Sequence, residues 1–298
     1  MSFQRAAHRR AIALMIIAPT LWSIAGVVTR HLSPELQAEG RFEITFWRSF
    51  FAAVFVGGVL LWRRDFASSV KRAGASGVIS GAMWAVMFIS FMLALTLTST
   101  ANTLIVLAVA PLLTALLARA VLSTPIALRT WCAIAVAMLG IGAMFAENFS
   151  LSSSASLAGM LIAFGAPLAS AVNIVLLKKR GAAVDLVPAV FLGGVFSAAL
   201  MLPFSFPLLA QPTDIALLAV LGFFQLGLPC ALLVIAARHL SATEVALLAL
   251  IEVVLGPLWA WLGAGETPSA ATLSGGALVI AALILNELWT AGTRRATA

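Results

Sequence analysis

A carboxylate in the middle of an apolar run is the first residue in this chain that could do chemistry. Glu252 stands within Ile251-Glu252-Val253-Val254-Leu255-Gly256-Pro257. A charge at that depth in a membrane costs roughly 2.5–3.5 kcal/mol on insertion scales. It must therefore be paired, hydrated in a cavity or protonated. Such a group can carry a proton or partner a substrate ammonium group; it can also close a structural pair or a packing hydrogen bond. Arg48 lies in another apolar run, and its planar fork suits a substrate carboxylate. Near the outer end of its span it can equally snorkel to the boundary. Asn102, Asn173 and Gln225 each offer donors and acceptors, which serve a zwitterionic solute or interhelical bonds alike. Trp22 shares a helical face with Pro19 and Gly26, while Trp84, Phe88 and Phe91 form a stripe at spacing four and three. Such rings can stack an apolar side chain or hold a cation, or they can pack against lipid and core.

Other chemistries find no residues. His8, His31 and His239 fall at or beyond span ends and no His-Glu-x-x-His motif occurs, so an intramembrane hydrolase is not expected. Cys132 and Cys230 both lie in apolar spans and read as buried structural thiols, giving neither a disulfide nor a metal site. No cofactor is expected, since nucleotide-binding glycine loops are missing. Glu244 lies near a boundary and reads as a first-turn acid; Asn286 and Glu287 read as interfacial. Trp47, Trp62, Trp131, Trp259, Trp261 and Trp289 fit an aromatic belt at span ends, leaving Trp22 and Trp84 at mid-depth.

The elements that position these residues follow from composition. Hydrophobic residues make up 62% of 298 and charged residues 10%, against about a quarter charged in a soluble domain. Such a chain uses lipid as solvent, and its apolar runs are long enough for helices. Ten spans are predicted near 11–32, 43–62, 74–96, 99–118, 128–146, 157–177, 187–206, 213–237, 243–262 and 272–290. With a cytoplasmic N-terminus, fifteen of the eighteen basic residues fall on the inside, and only Arg30 and Arg41 outside. That bias sets both termini in the cytoplasm. The net charge of +7 is thus a topology signal, and no nucleic-acid partner is expected. The N-terminal apolar run lacks a cleavage site and reads as an uncleaved first span.

The second five spans repeat the first five. Ala94-Leu95-Thr96-Leu97-Thr98-Ser99-Thr100-Ala101 is echoed by Ala237-Arg238-His239-Leu240-Ser241-Ala242-Thr243-Glu244, and Thr124-Pro125 by Thr267-Pro268. Because five is odd, the two copies must be inserted with opposite orientations. The boundaries are 1–146 for the first repeat, 147–156 for an outer connecting loop and 157–298 for the second. Pro19 pairs with Pro167, and Pro111 with Pro257. Each removes a backbone donor; matched interruptions point to a central carrier site with hinges, or merely to bends around the bundle.

These segments resemble the drug/metabolite transporter superfamily in its ten-span EamA-type branch. Leu240-Ser241-Ala242-Thr243-Glu244, the run to Pro257 and Gly265-Glu266 carry the resemblance, and Leu97–Pro125 looks like the first-half copy with Ser123 where that Glu is usual. Within the superfamily the chain looks most like the YddG-type amino-acid exporters. An all-α polytopic protein of the plasma (inner) membrane is expected, acting as a monomer among lipids. The resemblance implies alternating access of two inverted repeats and export of small neutral metabolites, above all aromatic and other neutral amino acids, with protons as a coupling ion to be tested. Export of lipophilic cations or drugs, or a passive channel or scaffold subunit, are the alternatives.

Overall fold

The computed structural model describes residues 2–64, 66–98, 100–123, 125–145, 154–180 and 185–264, with short pieces between 270 and 285. All regular elements among these described residues are helices. At mid-depth in lipid the backbone must satisfy itself, and a helix does so within one segment. Seven stretches are long and apolar enough to cross a bilayer: Ala6–Thr29, Arg41–Trp62, Phe66–Leu97, Ala158–Arg180, Val187–Phe204, Pro212–Ala236 and Ala242–Gly263. Ala110–Leu122 and Leu128–Gly140 are shorter apolar helices. The expected tenth span and the 147–156 loop lie mostly outside the described residues.

Several spans are not continuous rods. The first is α1 (Ser2–Trp22) and α2 (Ala25–Thr29), and α3 (Pro34–Glu39) is a short helix in a segment expected to be loop. After α4 (Arg41–Trp62), α5 (Phe66–Leu97) begins earlier than expected, with a joint at Gly74, φ 52°. Then follow α6 (Thr100–Leu107), α7 (Ala110–Leu122), α8 (Leu128–Phe145), α9 (Ser154–Ala163), α10 (Gly165–Arg180) and α11 (Val187–Met201). A π-helical turn, Leu221–Gly227, joins α12 (Pro212–Val220) to α13 (Leu228–Ala236). The last two are α14 (Ala242–Ala249) and α15 (Ile251–Ala264).

Three of the four expected hinge prolines lie within four residues of an interruption. Pro19 precedes the Ser23–Ile24 turn, and the Ser23 amide still reaches the Pro19 carbonyl at 3.0 Å. Pro111 is in the first turn of α7, where its missing N–H would lack a partner anyway. Pro167 is the third residue of α10, just past the turn at Phe164. Pro257 differs. Its span breaks seven residues earlier, at Leu250, where the Leu250 amide bonds the Leu247 carbonyl and the Val253 amide bonds the Leu250 carbonyl, both at 3.0 Å. This tightened turn, with no proline, starts α15 at Ile251; the Pro257 ring lies outside the described side chains.

Polar contacts tie the helix ends at two faces. On one, His8 Nδ1 meets the His239 carbonyl at 3.2 Å, Lys178 Nζ donates to the Ala237 carbonyl at 2.9 Å, and Arg238 pairs with Asp185 at 2.6 Å. Glu244 caps α14, accepting from the Ser241 amide at 2.6 Å while Ser241 Oγ accepts from the Glu244 amide at 3.1 Å; this is the expected first-turn acid. On the opposite face, Glu43 accepts from the Leu209 and Ala210 amides at 2.6 and 3.1 Å, and Asp214 accepts from the Ser33 amide and hydroxyl at 2.8 and 2.7 Å.

Between the faces, α4, α5, α11 and the π-helical turn pack through small residues. A Cβ on Gly222 would run into Phe51 and lie 2.8 Å from the Arg48 carbonyl; one on Gly193 would strike the base of Trp84. Without a hydrophobic drive between helices in lipid, such close approach supplies the association. Ser49 and Ser197 hydroxyls bond across α4 and α11 at 2.8 Å.

Two depth assignments change. Cys132, expected buried, is exposed, while Cys230 is buried; beyond Arg129 and Thr130 the Cys132 helix is apolar all round and gives little sign of which face meets lipid. Trp259, expected in the belt, donates its indole N–H to Ser23 Oγ at 2.7 Å, because the turn after α1 leaves polar groups to be met inside the bundle. Gly222→Ala is expected to lower the thermal midpoint in detergent by about 1–3 kcal/mol equivalent, the usual cost of overpacking. Gly58→Ala, with nothing within 4 Å of the new methyl, leaves the midpoint in place; equal effects of the two substitutions would contradict the packing described.

Candidate functional site

Midway between the faces lies a cavity of about 110 Å³. It forms where interrupted spans turn. Leu107 and Ala110, Ala166 and Pro167, and Leu250 and Glu252 all line it, each pair flanking or following a break. Glu252 is in the first turn of α15, where unmatched amides favour negative charge.

One polar network organises a wall of the cavity. Arg48, on α4, is only 1% exposed. Its Nη1 donates to Gln225 Oε1 at 3.4 Å, its Nη2 donates to the Phe88 carbonyl at 3.1 Å, and its guanidinium lies 5.6 Å from the Phe91 ring centre. The expectation that Arg48 could snorkel to the boundary is therefore replaced. Its span runs past the side chain far enough on both sides to leave it no route out. Gln225 completes the chain by donating Nε2 to the Trp22 carbonyl at 3.2 Å. α1 ends at Trp22, so that carbonyl needs a donor from elsewhere. The π-helical turn supplies it, as such turns often do at functional positions.

The aromatic residues line the same cavity. Trp22, Trp84 and Phe88 are 9%, 1% and 2% exposed, and the rings of Trp84 and Phe88 are 5.7 Å apart. Six expected site residues thus come together: Trp22, Arg48, Trp84, Phe88, Gln225 and Glu252.

Asn173 is not among the lining residues. It accepts from Ser80 Oγ at 2.6 Å, tying α10 to α5. The Asn102 side chain lies outside the described residues, although Leu107 of its helix reaches the cavity. Phe91, Ser170, Ile174 and Cys230 also line it. Ser170 could have been found, because Pro167, Ser170 and Ile174 fall at spacing three and four on one helical face.

A smaller hollow of about 20 Å³ continues from the cavity, sharing Trp22, Phe91 and Glu252 with it. It shares Gly26, Arg30 and Leu95 with a basin on the face that carries Arg30 and Gln37. Toward the His8 face, buried apolar residues including Ala11, Met15, Leu177, Ala242 and Val245 fill the interior.

The sequence pattern of the EamA-like transporter family matches the chain twice, over residues 9–146 and 157–288. The chain is 28% identical over 279 residues to the pseudopaline exporter CntI of Pseudomonas aeruginosa strain UCBPP-PA14, covering 93% of this chain and 95% of that protein. It is 27% identical over the same shares to the protein of that name from the PAO1 strain. A solved crystal structure superposes with a TM-score of 0.77 at 17% identity, covering 94% of this chain and 96% of that one, a likeness of fold alone.

The two buried amides should respond differently to substitution. Gln225→Leu leaves the Trp22 carbonyl and an Arg48 amino group unmet, an expected destabilisation of ~1–3 kcal/mol. Asn173→Leu should destabilise through Ser80 alone, so that adding Ser80→Ala recovers part of the loss. Thermal unfolding of the single and double variants measures this; a double variant no more stable than Asn173→Leu would remove the assigned pairing.

Proposed function

Because this chain belongs to the EamA-like transporter family, integral membrane carriers of small molecules, we propose that it exports small neutral metabolites, aromatic and other neutral amino acids foremost. The observation that carries this reading is the cavity at the crossing of the broken spans, walled by Trp22, Trp84 and Phe88. Broken helices meeting at mid-depth are the usual build of a carrier's solute site. The rings offer broad, rigid apolar area to a side chain. The direction of movement follows the relatives named exporters.

Movement proceeds by alternating access of two inverted five-helix repeats, residues 1–146 and 157–298, joined by 147–156. The two matched family stretches support the duplication. The inversion is supported by the contacts at the His8 face. There the start of α1 lies with the start of α14, and Lys178 at the end of α10 reaches the Ala237 carbonyl. Pro19, Pro111 and Pro167 mark flexing points, and the turn at Leu250 takes the place expected of Pro257. The cavity's continuation toward the Arg30 face, with an apolar fill toward the His8 face, favours a carrier over an open channel. The chain sits in the inner membrane with both termini cytoplasmic, as its basic residues favour.

Reconstituted protein should take up labelled phenylalanine with saturation. Trp22→Ala removes aromatic burial worth ~1.5–3 kcal/mol, so competition by bulky amino acids should weaken roughly tenfold or more. Competition by alanine or serine should change far less. Equal losses for both classes, or flux that never saturates, would oppose the reading.

A further inference from the structure

This inference rests on the cavity being the solute site proposed above. Two residues that line the cavity each hold a buried donor without a partner: Arg48 Nε and Trp84 Nε1. Both side chains are 1% exposed. Each Arg48 amino group already holds one bond, to Gln225 or to the Phe88 carbonyl. The two open donors belong to one wall. The Trp84 ring lies tilted against Phe88, and Arg48 bonds the Phe88 carbonyl. Buried donors of this kind are normally satisfied, and Glu252 acts on Arg48 only through space, with no bond to its Nε.

The opposite charge in the cavity is Glu252, on α15. Among the lining residues only Arg48 and Glu252 are charged, and among the described residues no ion pair joins them or occupies Glu252. The cavity thus presents a cation with its Nε–H open beside an open indole N–H on one wall, and one carboxylate on another. A solute that matches has one carboxylate and one ammonium group. A lipophilic cation would leave both donors unmet and set its charge against Arg48.

We infer that Arg48 Nε and Trp84 Nε1 together seat the carboxylate of an α-amino acid whose ammonium group faces Glu252. The side chain then lies against Trp22 and Phe88. Trp84 is a specificity residue through its N–H as well as its ring.

The test uses the full chain in vesicles, with labelled L-phenylalanine uptake and three competitors. These are L-phenylalanine, phenethylamine, which lacks the carboxylate, and 3-phenylpropionate, which lacks the amine. A site built for a polar group rejects an analogue that leaves buried donors unmet, so phenethylamine should compete at least about tenfold more weakly than phenylalanine. Trp84→Phe keeps a ring and deletes the N–H. It should weaken phenylalanine about five- to tenfold and leave the weak competition by phenethylamine unchanged. Wild-type protein inhibited equally by phenylalanine and phenethylamine would overturn the seat, and that comparison needs no variant. So would a Trp84→Phe protein in which both weaken by the same factor. Equilibrium dialysis of the same three compounds with detergent-purified protein separates the two claims. Carboxylate-dependent binding without saturable flux keeps the seat and sinks the transport reading, whereas no binding of phenylalanine sinks the seat.

Discussion

A guanidinium held at mid-depth in an apolar bundle has to be answered by polar groups, and Arg48 draws them from several spans. A charge there costs roughly 2.5–3.5 kcal/mol, while each hydrogen bond to a charged group returns about 1.5–3 kcal/mol. Its two bonds, to Gln225 and the Phe88 carbonyl, are therefore of the right size to offset the burial. They also make distant irregularities depend on each other. Gln225 has an acceptor only because α1 stops at Trp22, and the Trp22 carbonyl has a donor only because the π-helical turn presents Gln225. A straight first span would satisfy its own carbonyl and leave the amide with nothing to hold. Break, bulge and buried charge form one arrangement.

The same economy of polar groups governs the faces. Glu43 and Asp214 are 1% exposed, yet each accepts from amides of the 209–214 segment or its neighbour Ser33. These contacts fix the ends of α4 and α12 and set the frame within which the cavity wall is held.

Much of this was legible in the residues, and the remainder has physical reasons for staying hidden. Apolar run lengths report helices crossing lipid, because backbone satisfaction leaves little else, and seven such stretches are seen. Trp22, Trp84 and Glu252 stood out because mid-depth aromatic and charged residues lack a boundary explanation. Arg48 was harder. Depth estimated from a run's edge cannot tell a side chain that turns to the boundary from one turned into the bundle. Asn173 and Gln225 looked alike as amides, yet their partners, Ser80 and Arg48, are 93 and 177 positions away. The break at Leu250 carries no proline, and Cys132 sits one turn past Arg129 in an otherwise apolar helix, so neither left a clear local mark.

Glycines 193 and 222 join α4, α5, α11 and the π-helical turn so closely that a methyl group would collide, which makes that assembly one stiff slab. Arg48 and Trp84 ride on it, whereas Glu252 belongs to a span that yields at Leu250. The two ends of a dipolar molecule would then rest on separately jointed supports, one rigid and one compliant. Its own length would gauge the gap between them, so that a molecule too short or carrying one pole alone could touch either support without drawing them together.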